Sequence, residues 1–88
     1  MTAACVLTFA TTSHVYQAER LLRTAGLPVG LRPVPQGVSS RCGVCLQGEL
    51  ARVARYREIL TGAHAPAAVY ESTPDGGGWK LYSQAING

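Results

Sequence analysis

Charge is scarce in this chain. Only 15 % of its residues are Asp, Glu, Lys or Arg, and seven of the eight cations are Arg with Lys80 the single lysine. A basic face dense enough for nucleic acid, with aromatics set among the charges, is missing, so no nucleic-acid partner is expected. Long apolar runs are missing too: none approaches the roughly 20 residues that span a bilayer, and no membrane partner is expected. The opening MTAACVLTFATTSH has neither the basic flank nor the small-residue cleavage site of a secretory leader, so it is expected to belong to the fold. Cysteine is limited to Cys5, Cys42 and Cys45. An odd number of thiols argues against a disulfide scaffold and for a reducing, cytoplasmic setting. Three also leave a four-ligand zinc site one short, so no metal is expected.

What remains is a chain of 88 residues, 47 % of them apolar, enough for one domain and one modest core. Ala4 to Ala10 is apolar on both faces, as a central buried strand should be. Thr11-Thr12-Ser13 supplies N-cap candidates. Val15, Ala18, Leu21, Leu22 and Ala25 follow at helical spacing, and Gly26 with Pro28 stops the helix. Leu27 to Val34 alternates as a second strand, and its prolines confine it to a sheet edge. A polar loop, Gln36 to Arg41, leads into a short third strand, Cys42 to Gln47. A second helix is expected from Glu49 to about Thr61, with Leu50, Val53, Ala54 and Leu60 as its core face. Ala67 to Glu71 forms the fourth strand.

The order β-α-β-β-α-β points to an α+β, ferredoxin-like two-layer sandwich. Right-handed crossovers give an antiparallel sheet in the order 4-1-3-2 with both helices on one face. Residues 1–72 make this domain. Residues 73–88 form a Gly-rich turn and a tail able to add a short fifth strand. Helices cover one face only, so Trp79, Leu81 and Tyr82 are candidates to cover the other, within the chain or across a homodimer.

This topology brings the end of the first strand, the start of the first helix, the loop before Cys42 and the segment around His64 to one rim. Cys42 there is the leading chemical group. Helix N-termini and neighbouring Arg favour a thiolate, so Thr12, Ser13 and Arg41 are candidate stabilisers. Ser39, Ser40 and Gly43 offer hydroxyl and backbone donors for an anion-cradling concavity, and His14 a proton acceptor. Blander readings stand beside these. Cys42 is equally explained as a small core residue, His14 as an idle surface group, and the Arg of the second helix as a solvated face. Cys5 reads as core. Cys45 completes a CxxC, but on a strand positions i and i+3 point to opposite faces, so a dithiol switch needs Cys42 in the loop.

The run Leu7-Thr8-Phe9-Ala10-Thr11-Thr12-Ser13-His14, with Ala18-Glu19 and Leu22, resembles the opening of small selenium/sulfur carrier-like domains. Gly26-Leu27-Pro28-Val29, Arg32-Pro33-Val34-Pro35 and Ser39-Ser40-Arg41-Cys42-Gly43 are similar to their centre, where Ser-x-Cys-Gly follows a proline-rich strand. Val69-Tyr70 extends the likeness. The resemblance implies a cytoplasmic bacterial domain with Cys42 as carrier of a persulfide or selenopersulfide, serving a protein donor or acceptor of sulfur or selenium. It implies no cofactor, since the sulfur itself reacts, and leaves Cys45 and the tail with Trp79 outside the pattern. Arg32 is a candidate guide for an acidic partner. Two rivals are a non-catalytic protein-interaction or regulatory domain and a thiol–disulfide module using Cys42 and Cys45.

Overall fold

Strand β1 (Ala4–Thr8) is the axis of the molecule. It pairs antiparallel with β3 (Val44–Glu49) on one side and with β4 (Ala68–Ser72) on the other. The computed structural model describes residues 3–84. In it β2 (Gly30–Pro33) pairs outside β3, and β5 (Trp79–Gln84) outside β4, both antiparallel. The sheet therefore runs β2-β3-β1-β4-β5. It differs from the expected four-strand order by a fifth strand, joined at the β4 edge through a turn in which Thr73 N–H donates to Gly78 O at 2.9 Å. No helix among the described residues is long and apolar enough to cross a membrane.

Helix α1 (Thr12–Thr24) begins where Thr11 Oγ1 accepts the His14 N–H at 3.2 Å. It ends in a left-handed Gly26, φ +81°, with Gly26 N–H donating to Arg23 O at 3.0 Å and Leu27 N–H to Leu22 O at 2.9 Å. Those two bonds satisfy carbonyls that a helix end leaves unpaired. They also explain the late start of β2: the Leu27 N–H is already used and Pro28 has none. Val15, Ala18 and Leu22 are buried, but Leu21 and Ala25 are exposed, so the apolar stripe is narrower than its spacing suggests.

The second helix departs from expectation. Gly48 and Glu49 stay in β3 because β1 offers them partners, Gly48 lying opposite Cys5 and Glu49 opposite Ala4. Leu50–Arg52 is a 3-10 turn and α2 spans only Val53–Ile59. Its buried residues are Val53 and Tyr56; Ala54 is exposed, and Leu60 is buried just past the helix end.

Alternation along β1 makes two cores. Cys5 and Leu7 join Phe9, Val15, Leu22, Cys42, Leu46 and Tyr56 under the helices. Val6 points the other way, to a smaller cluster with Val38 and Cys45, against which Val34, Tyr70 and Trp79 pack. The helix-free face is thus covered by the loop after β2 and by Trp79. Leu81 and Tyr82 do not complete the cover, being 43 % and 48 % exposed.

One close approach ties the cores to α2. A Cβ on Gly48 would lie 2.4 Å from Tyr56 Oη, the oxygen that accepts the Glu49 N–H at 3.0 Å. Gly48→Ala is expected to destabilise the fold by about 1–3 kcal/mol, the usual cost of overpacking. Urea unfolding checks this, and adding Tyr56→Phe should recover part of the loss by removing the nearest clashing atom.

Candidate functional site

The chain around Cys42 is arranged by a few bonds. After β2, Val34 N–H donates to Gly43 O at 3.2 Å, closing the loop at its base. Val38 N–H donates to Pro35 O at 3.2 Å, and the Val38 side chain anchors the loop in the helix-free core. Ser39 N–H then donates to Tyr70 Oη at 3.3 Å. Cys42 N–H donates to Ser40 Oγ at 3.2 Å, a local side-chain turn of the kind serine favours.

Cys42 itself lies just before β3, in a bend, with its side chain in the core under the helices. It is 7 % exposed, and its Sγ donates to Phe9 O at 3.1 Å. Only the protonated thiol can make that bond. The Cys42 sulfur therefore lies in the core beneath the rim, where topology alone suggested an open thiol.

The other expected site residues divide. Ser40 and Cys42 are joined by a hydrogen bond. Thr12 and Ser13 are exposed at the start of α1, and His14 is half-buried there with its backbone N–H on Thr11. Among the described residues the hydrogen bond of the Cys42 sulfur goes to Phe9, not to His14, Arg41 or the α1 N-terminus. Gly43 is exposed and serves through its carbonyl. His64 sits in a separate groove beside Tyr16, Gln17, Arg20 and Leu21, its Nδ1 buried without a hydrogen-bond partner.

Cys45 belongs to the core on the opposite face of the sheet from Cys42. Its Sγ faces Pro33 O at 3.9 Å. Joining the two sulfurs would require one side chain to leave its core, so the CxxC spacing does not make a ready dithiol pair. Burial raises the Cys45 pKa, opposed by Arg32. Arg32 is itself engaged, hydrogen-bonded to Gln47 and stacked over Trp79 at 5.9 Å, which ties it to the sheet rather than leaving it free to guide a partner. Burial pushes the Cys5 thiol up to about 11, against the Gly48 backbone hydrogen bond and with a further push from Glu49.

On the helix-free face, between the Ser39–Arg41 segment and the ends of β1, β4 and β5, lies an open cleft of about 530 Å³. Thr8, Ala68, Tyr70 and Leu81 border it, with Phe9 and Arg41. Phe9, Tyr70 and Leu81 were not among the site residues expected from sequence, although Leu81 was expected to help cover this face of the sheet. A carbonyl acceptor such as that of Phe9 has no residue-type signal. Tyr70 was legible only as a strand residue.

Two outcomes follow from the thiol environments. Iodoacetamide labelling of the native protein is expected to modify Cys42 first, through opening of its loop, while Cys5 and Cys45 react only as strands come apart; peptide mapping over time checks the order. The second concerns alkali. The folded chain holds the Cys5 proton up to about pH 11, whereas the unfolded chain releases it from about pH 9. Stability from this group is therefore complete below about pH 9 and lost as pH rises toward 11. Urea midpoints across that window should fall, and fall less steeply in Cys5→Ala.

No curated protein and no solved structure matches the chain. A family model does, over residues 4–71, from the first residue of β1 through most of β4 and including the whole loop that carries Cys42. That span takes in the paired strands, both helices and the Ser-x-Cys-Gly segment whose geometry is described above. The chain belongs to the family described as "Putative Se/S carrier protein-like".

Proposed function

We propose that this protein is a sulfur or selenium relay domain that holds the chalcogen on Cys42. The observation that carries this reading is the place of Cys42 within the family-matched stretch, in a surface loop held by few bonds rather than inside a strand. To react, the sulfur must leave the helix-side core. Its release costs the thiol–carbonyl bond and the burial of one small side chain, about 1.5–3 kcal/mol together. An opening free energy of that size leaves between roughly one molecule in ten and one in a hundred reactive at any moment.

The transfer balances without an outside oxidant. A donor persulfide presents its terminal sulfur, Cys42 forms a new S–S bond to it, and the donor's own S–S bond breaks. The proton of the Cys42 thiol passes to the departing donor sulfur. An acceptor nucleophile then takes the terminal atom, and Cys42 regains its thiol. A selenium atom follows the same exchange. Burial of the resting thiol, donating its proton in a hydrogen bond to Phe9 O, protects it between transfers.

The buried sulfur also favours a second reading, a protein-interaction domain in which Cys42 is a core residue. Intact-protein mass after incubation with a cysteine desulfurase and cysteine separates the two. Wild type and Cys45→Ser are expected to gain sulfur, and Cys42→Ser to gain none. No adduct on any of them, with the desulfurase active on a known acceptor, overturns the relay in favour of the interaction domain. A requirement for Cys45 equal to that for Cys42 would point to disulfide chemistry instead.

A further inference from the structure

Four of the five acids of this chain already have a partner within it. Glu19 pairs with Arg23 at 3.3 Å, Glu49 with Arg52 at 2.8 Å and Glu58 with Arg55 at 3.8 Å. Glu71 lies opposite Lys80 in the β4–β5 register. Asp75 accepts from Thr73 Oγ1 and from Gly77 N–H in the hairpin turn. Arg41 has no such partner among the described residues. It is exposed, it borders the cleft on the helix-free face, and among the described residues no carboxylate lines that cleft. A guanidinium with no internal anion, in a concavity of about 530 Å³, is complementary to a small anionic ligand.

The rest of the lining adds to the description of that ligand. Ser39 and Ser40 supply polar groups on the Arg41 side, while Ala68, Tyr70 and Leu81 supply apolar surface opposite. One end suits a carboxylate and the other a short carbon stem. The neighbours of Cys42 decide what the stem carries. Phe9, whose carbonyl holds the thiol, and Ser40, whose hydroxyl holds the Cys42 N–H, both border the cleft.

We propose that this cleft binds a carboxylate-bearing low-molecular-weight thiol, an amino acid or short peptide, in its persulfide or selenopersulfide form. The proposal rests on the relay reading and names its donor class. The bound donor loses its terminal chalcogen to Cys42 in the exchange written above and leaves as the thiol. The carboxylate pairs with Arg41, so loading and loop opening act on the same segment.

The test uses S-methylglutathione, which has the carboxylates and stem but no sulfur to exchange, titrated into the 15N-labelled full chain. Saturable shifts are expected at Ser39–Arg41, at Ala67–Tyr70 and at Leu81. Arg41→Ala should weaken binding about tenfold, the worth of one charge-assisted contact. Arg55→Ala should not change it, and the dimethyl ester of the probe should bind as weakly as the ligand does to Arg41→Ala. Diffuse shifts, or binding indifferent to Arg41 and to esterification, overturn the proposal. Persulfide formation from a desulfurase with no binding in the cleft sinks the small-donor site and leaves the relay standing. Binding in the cleft with no persulfide on Cys42 from glutathione persulfide sinks the donor role of the site.

Discussion

Everything in this small fold follows from the need to bury β1 on both faces. A strand that is hydrogen-bonded along both edges and apolar on both sides must be covered twice, and 88 residues leave little chain for the second cover. The helices supply the first layer, with Val15, Ala18, Leu22, Val53 and Tyr56 over Cys5 and Leu7. The second is a loop and a tryptophan: Val34 and Val38 on one side, Trp79 on the other, over Val6 and Cys45. Because Val38 is committed to that face, the following residues must cross the end of the sheet to enter β3. Ser39–Arg41 thereby form a wall, and Cys42 dips into the helix-side core just before the strand begins. The site is a by-product of covering the back of the sheet.

Much of the secondary structure was legible in the residues, because it rests on local chemistry. Gly26 and Pro28 marked the end of α1, and the left-handed glycine with its two backbone bonds is the physical form of that mark. The prolines of β2 marked an edge, and β2 is an edge strand. The shorter α2 was not legible. Gly48 and Glu49 have no strong strand preference, and it is the neighbouring β1 that holds them extended. The fifth strand was visible only as a run able to pair, and it is the Thr73–Gly78 turn that folds it back onto β4.

For the site, position along the chain was legible and depth was not. The crossover rules put Cys42 at the end of the sheet where α1 begins, but which way a side chain turns in a bend depends on its neighbours. The deciding partner is the carbonyl of Phe9, a group that every residue possesses. The same limit applies to the paired thiols. Their spacing invites a disulfide, while the pleat sends Cys45 to the far side of the sheet. A sulfenic acid formed on Cys42 would have no resolving thiol within reach, and its rescue would fall to a thiol from outside the chain.

The boundary of the family match adds a different consequence. It ends at residue 71, so β5 lies wholly beyond it, yet β5 contributes Leu81 to the cleft and Trp79 to the back of the sheet. The loop with Cys42 therefore lies inside the matched stretch, and the strand opposite it across the cleft lies outside it. Changes in β5 can therefore reshape one wall of the cleft, like a die exchanged in a press, without touching Ser40 or Phe9, the residues that hold Cys42.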